Sequence, residues 1–305
     1  MNNILSTKVK VFRNVKDYKF SCKLEKEKQD EIVAKLTEVF KDFELKNIAE
    51  IDNNTINYLK ENNLINSSLK QFLINKEKSV IISLFENEHI TIISSNKNIN
   101  KAYKNVKEIS DILQNKINLS YSDEFGYLMS DLTNIGSGLK LICEIDLTCV
   151  KTLGKIEQVA QNLKKLGYVL TETSKTNTFK LTGLCNLGVL EKDVLSNFEK
   201  IQNHLQEIET ESAKMLDVSN HDEMLNNAMR SLSLLKGSYL MSYSELNSHI
   251  SNLRIARNLN YFEIDEDIIY KLQTICKDNK EFMSQSELKQ VAQQAKQVLK
   301  GVENV

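Results

Sequence analysis

Charged and apolar residues alternate near the start of the chain, where Lys8, Val9, Lys10 and Val11 follow one another. A period of two sends neighbours to opposite sides of a strand. The segment from Ser6 to Phe20 therefore predicts a half-exposed edge strand with its lysines toward water. From Asp30 the spacing becomes helical, with Ile32, Val33, Leu36, Val39 and Phe40 on one stripe. Residues 45–77 are polar and asparagine-rich, with short helical pieces such as 56–60. Two apolar runs, 79–84 and 89–93, read as a hairpin around a turn at Glu86, Asn87 and Glu88. A helix is predicted over 98–116, with Ala102, Val106, Ile109 and Leu113 inward.

Residues 141–150 read as strand. A helix through Ile156, Val159, Ala160, Leu163 and Leu166 is stopped by Gly167. Short strands at 167–170 and 178–181 flank a polar tip at 173–177. A long amphipathic helix runs through Val194, Leu195, Phe198, Ile201, Leu205 and Ile208. The polar run 209–212 is the predicted boundary, because every periodic segment beyond it is helical. Ser242 with Glu245 and Ser284 with Glu287 form capping boxes, and Asp265 is placed to cap a third helix. The chain thus divides into a mixed portion, 1–210, and a helical portion, 211–305.

Composition narrows the function classes. Forty basic and 41 acidic residues give a net charge of −1, without the basic surplus of a nucleic-acid binder. Hydrophobic residues make up 41%, yet no run approaches the ~20 residues of a membrane span, and the start has no signal-peptide pattern. Five scattered cysteines (Cys22, Cys143, Cys149, Cys185 and Cys276) lack metal-ligand spacing, which predicts reduced thiols, a cytoplasmic setting and no metal site.

The stretch most suggestive of chemistry is 126–140. An apolar-aromatic run enters it, a Gly-Ser-Gly crosses it at 136–138, and Lys140 leaves it. Such glycines allow tight turns and close approach to a ligand, and a cation just beyond is a natural phosphate partner. A glycine-bearing loop between two sheet elements reads the same way.

Gly126, Tyr127, Leu128, Asn134, Gly136, Gly138 and Leu139 resemble the signature loop of the ATP:guanidino phosphotransferases, or phosphagen kinases, in its bacterial protein-arginine kinase form. In that pattern Asp131 stands for a cysteine, Leu132 for a proline and Lys140 for an arginine. The resemblance extends along the chain. Ser6, Arg13 and Asn14 match an N-terminal Ser-x-Arg-x-Arg-x-x-Arg-Asn segment whose first two arginines, here Lys8 and Lys10, grip ATP phosphates. Aligned on His89, the hairpin turn puts Glu86 on the first glutamate of an Asn-Glu-Glu-Asp-His-x-Arg segment and Asn87 on the catalytic one, and Thr91 replaces its arginine. Glu88 or Glu86 is then the fallback base. Thr171 takes a further arginine position, and the loop after it is shortened. The C-terminal helices resemble the protein-arginine kinases' own helical domain. The resemblance implies dimerisation and a phosphoarginine pocket there, but the pocket's Arg-Asp pair, which would fall near 288–290, is missing.

The resemblance implies an α+β fold: a largely antiparallel β-sheet flanked by helices, like the phosphagen kinase catalytic domain, followed by an all-helical domain. It implies Ser6, Lys8, Lys10, His89 and Lys140 as nucleotide-binding positions, and ATP with magnesium as cofactor if binding is retained. Losing one well-placed charged donor costs ~3 kcal/mol at a transition state, and two positions hold threonine. The functional expectation is therefore a catalytically degenerate protein-arginine kinase homologue acting as a regulatory module. The alternative is a divergent ATP-dependent phosphotransferase acting on protein arginine. The partners expected are a second copy or an intact protein-arginine kinase, its activator, or a protease-associated chaperone.

Overall fold

A computed structural model describes residues 3–61, 64–65, 69–183, 188–276 and 283–301. Cys185 lies outside the described residues. In chain order the elements are β1 (Ile4–Arg13), α1 (Lys26–Val39), β2 (Glu44–Asn47), α2 (Asn53–Glu61), β3 (Gln71–Ile74), β4 (Val80–Leu84), β5 (Ile90–Asn96) and α3 (Ile99–Lys116). There follow β6 (Tyr121–Ser122), β7 (Gly126–Tyr127), β8 (Leu139–Asp146), α4 (Thr148–Thr152), α5 (Ile156–Lys165), β9 (Tyr168–Glu172) and β10 (Thr178–Gly183). The chain ends in α6 (Glu191–Gly237), α7 (Tyr243–Asn258), α8 (Glu266–Ile275) and α9 (Gln285–Val298).

Eight strands form one antiparallel sheet in the order β2-β3-β4-β5-β1-β8-β10-β9, and β6 and β7 make a small separate ribbon. β1 is therefore central, between β5 and β8, and not the edge strand its alternation predicts. Alternation reports which residues share a face. It says nothing of strands that pair from 80 and 130 residues away. Val9 and Val11 point to the helix-covered face, where Ile82, Ile92, Leu141 and Leu181 pack with Leu36 of α1, Val106 of α3, Leu163 of α5 and Phe198 of α6.

The opposite face is covered at the β3–β5 end and, by Arg254 of α7, at the Asp146–Thr178 end of β8 and β10. At the β3–β5 end Phe72, Ile74, Ile81 and Ile93 pack with Leu59 of α2 and the following residues Leu64, Ile65 and Leu69. Between these two covered ends, β1, β8 and β10 carry Lys8, Lys10, Lys140 and Lys180 on this face.

Two local readings change. The strand predicted over 141–150 stops at Asp146, whose Oδ1 accepts the Thr148 N–H at 3.0 Å and turns the chain into α4. The polar run 209–212 lies within α6, a 47-residue helix kinked at Asn220. Glu209 is buried because it accepts the Cys149 and Val150 N–H groups at 2.7 and 3.0 Å, satisfying the start of α4. Beyond the kink, Ala228, Leu232 and Leu235 join a core built with α7, α8 and α9. Both predicted capping boxes form, and Asp265 caps α8. A buried ion pair, Arg254 Nε to Asp146 Oδ2 at 3.1 Å, ties α7 to the sheet. No helix among the described residues is long and apolar enough to cross a membrane.

Candidate functional site

The register fixes the layout of the open face. Lys10 is directly opposite Lys140, Lys8 is opposite Ile142, and Ser6 is opposite Glu144. On the next strand Lys180 is opposite Glu144, and on its other side it faces Thr171 of β9. Lys8, Lys10 and Lys140 are half-buried, while Lys180 and Thr171 are exposed. None of the four lysines forms an ion pair among the described residues. Burial, reinforced by the charge of Lys10, pushes the Lys8 ammonium down to about 8. Burial also lowers Lys10, against the attraction of Glu86, with Lys140 and Lys180 adding to the lowering. Like charges directly opposite in a sheet are destabilising, so this face is poised to gain from an anion.

The loop over 126–140 is held from behind. Tyr127 donates its N–H to Gly136 O at 2.9 Å. A Cβ on Gly126 (φ +75°) would sit 2.6 Å from that same carbonyl oxygen. Gly138 (φ +64°) lies against Arg13, whose Nη1 would be 2.6 Å from an added Cβ. Arg13 is 1% exposed. It donates to Phe12 O at 2.7 Å and Ser137 O at 3.0 Å, and its guanidinium stacks 3.6 Å from the Tyr127 ring centroid. Arg13 is therefore a structural arginine beneath the loop.

The hairpin turn joins this assembly. Glu88 is fully buried and accepts from Asn14 Nδ2 at 2.6 Å, Ser130 Oγ at 2.9 Å, Ser130 N at 3.0 Å and Asp131 N at 3.1 Å. Asn14 Oδ1 in turn accepts the His89 N–H at 2.9 Å. His89 is enclosed too: Nδ1 accepts from Val15 N at 3.0 Å, and Nε2 lies 2.7 Å from Lys19 O, which sets the Nε2–H tautomer. Burial lowers its pKa, so the ring is neutral. His89 thus does not reach the open face that holds Ser6, Lys8, Lys10 and Lys140, and Glu88 is a clamp for the loop.

Asn87 is exposed, and its carbonyl accepts from Ser130 Oγ at 3.0 Å. Glu86 is half-buried, accepts from Ser83 Oγ at 2.8 Å, and its charge is felt by both Lys8 and Lys10. Asp131 caps the short turn after it by accepting from Thr133 N and Oγ1, and these bonds lower its pKa. Thr91 is buried between Phe12 and Ser83 in register. Glu172 lies opposite Phe179, on the helix side, and pairs with Lys151.

Sequence reasoning did not include Lys180 in the site. Its signal was the alternation Thr178-Phe179-Lys180-Leu181, which needs the β8–β10 register before it assigns Lys180 to the face of Lys8 and Lys10.

A family model described as "ATP:guanido phosphotransferase, C-terminal catalytic domain" matches residues 19–212. A protein-arginine kinase of Clostridium perfringens is 26% identical over 279 residues, covering 85% of this chain and 83% of the relative. A protein-arginine kinase of Staphylococcus epidermidis is 22% identical over 276 residues, covering 86% and 82%. Among solved structures, the substrate-free duplicated taurocyamine kinase from Schistosoma mansoni superposes with a TM-score of 0.61 at 18% identity. It covers 80% of this chain, which spans 39% of that duplicated one. A lombricine kinase superposes with a TM-score of 0.56 at 13% identity, covering 68% and 67%. With the sheet, the loop and the matched residues agreeing, the chain belongs to the ATP:guanido phosphotransferase family, close to the bacterial protein-arginine kinases.

Proposed function

We propose that this protein binds a nucleoside triphosphate on the lysine-bearing face and serves as a regulatory module without transferring a phosphoryl group to guanidine. The observation that carries the reading is the split between cations and acids. Lys10 and Lys140 stand opposite one another with no carboxylate between them, while Glu88 is fully engaged by the loop and Asn87 presents an amide. Four cations on an open face suit a triphosphate, which lysines hold as point charges. Among the described residues no group of three or more His, Cys, Asp or Glu is placed to hold a metal. Magnesium would therefore come coordinated by the nucleotide's own phosphates. An amide at the position of the acid cannot take a proton from the guanidinium or balance its charge.

The partner we propose is another member of the same family, a second copy or an intact protein-arginine kinase. Its activator or a protease-associated chaperone are the other partners proposed. The likeness to those kinases covers 85% of the chain and so includes part of the helical portion.

The test is incubation of the purified chain with magnesium, ATP and casein, with acid-labile phosphoarginine as readout and thermal shift with nucleotide in parallel. A nucleotide-dependent shift without phosphoarginine is the result expected. Phosphoarginine that disappears in Lys140→Ala overturns the reading. One observation favours that second outcome: Glu86 lies within electrostatic reach of Lys8 and Lys10. If transfer occurs, Glu86→Gln abolishes it and Asn87→Ala does not.

A further inference from the structure

The register leaves one cation of this face outside every motif. Lys180 stands two strands from β1 and two rows along from Lys140, with Ile142 and Glu144 between. Neighbouring strands are about 4.8 Å apart and residues rise about 3.4 Å along each, so its backbone lies roughly 14 Å from that of Lys140. The β1–β8–β10 register nevertheless puts it on the same face of the sheet as Lys8, Lys10 and Lys140. Glu144, its direct cross-strand neighbour, pairs with Lys175 from the β9–β10 turn at 3.2 Å. Lys180 itself is exposed and forms no ion pair among the described residues.

We propose that Lys180 is a phosphate-contacting residue, engaged only by anions long enough to extend from the Lys10–Lys140 pair across Ile142. This rests on the reading of the face as a polyphosphate site and adds a length requirement to it. A single phosphate seats between Lys10 and Lys140, whereas a chain of three phosphates reaches the far cation. Thr171 is opposite Lys180 on the same face and exposed, so a cation placed there can take over the role.

The experiment is isothermal titration of the full chain with inorganic tripolyphosphate and with orthophosphate. Lys180→Ala weakens tripolyphosphate about tenfold and orthophosphate less than twofold. Lys180→Ala with Thr171→Arg restores tripolyphosphate to within threefold of the parent. Lys180 is exposed, so thermal melts of the variants match the parent, and that is the folding control. If the parent binds neither anion, the reading of the face fails and this inference with it. If the parent binds tripolyphosphate and Lys180→Ala does too within twofold, or loses both anions equally, the inference alone is overturned.

Discussion

Glu88→Gln separates a clamp from a base. Glu88 offers only acceptors, and four donors converge on it from Asn14, the Ser130 N–H and hydroxyl, and the Asp131 N–H. An amide must turn its NH2 toward one set of them. Facing Asn14 Nδ2, now 2.6 Å from Oε2, it opposes a donor that cannot reverse, because Asn14 Oδ1 already accepts from His89 N. Facing the other way, it opposes the Asp131 N–H, 3.1 Å from Oε1, which cannot reverse either, while the Ser130 hydroxyl turns its hydrogen to Asn87 O. Hydrogen bonds to a charged acceptor contribute roughly 1.5–3 kcal/mol each, and a buried donor left unpaired costs roughly 1–3 kcal/mol. The loss is therefore ~3 kcal/mol, or about 6–12 °C in the melting temperature of a domain this size. Calorimetry reads the melt, and hydrogen exchange reads the Ser130 and Asp131 amides, which lose protection. Glu86→Gln, on a half-buried residue at the turn, costs less than ~1 kcal/mol by the same measure. A Glu88→Gln protein that melts within ~1 °C of the parent and keeps both amides protected refutes the clamp.

Anion affinity depends on pH through Lys8. Its folded-state pKa of about 8 lies below its usual 10.5. The charged form therefore opposes folding below pH 8, and that penalty is relieved as pH rises from 8 toward 10.5. Tripolyphosphate affinity falls between pH 7 and 9 as Lys8 discharges, and Lys8→Arg flattens the profile because a guanidinium stays protonated; parallel profiles refute this. Arg254→Ala leaves Asp146 buried without its countercharge at 4% exposure. It costs roughly 3–5 kcal/mol and makes the α6–α7 junction sensitive to limited proteolysis, while an unchanged digestion pattern with an unchanged melt rules the tie out.

The sequence made legible what local periodicity controls. The β4–β5 hairpin, α3 and both capping boxes follow from spacings of two to four residues. Long-range pairing was not legible. β1 alternates like an edge strand yet lies inside the sheet. β2 and β3 have four residues each, and β2 is largely exposed, so neither leaves a period to read. The polar run at 209–212 reads as a break, but Glu209 is polar because α4 needs an acceptor for its first N–H groups. In the site, Lys8 and Lys10 share a face as their period of two implies, whereas Lys140 joins them only through the β1–β8 register. His89 and Glu88 were read by their identity, and only the geometry shows that backbone and loop donors enclose them.

The same geometry explains why the resemblance to the family is carried by some residues and broken at others. Gly126, Tyr127, Gly136, Gly138, Arg13, Asn14 and His89 match the motif and contact one another behind the loop. Each satisfies a partner's buried donor, acceptor or steric limit, so a change at one leaves another stranded at ~1–3 kcal/mol. Where the chain departs from the motif on the open sheet, at Lys8, Lys10, Lys140 and Thr171, side chains border solvent, and water accepts the hydrogen bonds a substitution frees. Thr91 fits this division differently, being buried where the motif has a cation and packed between Phe12 and Ser83. The matched residues thus report the packing of the loop. The reactivity of the face depends on the positions that packing leaves unconstrained, which is why binding and transfer are measured separately on the lysines and on Glu86.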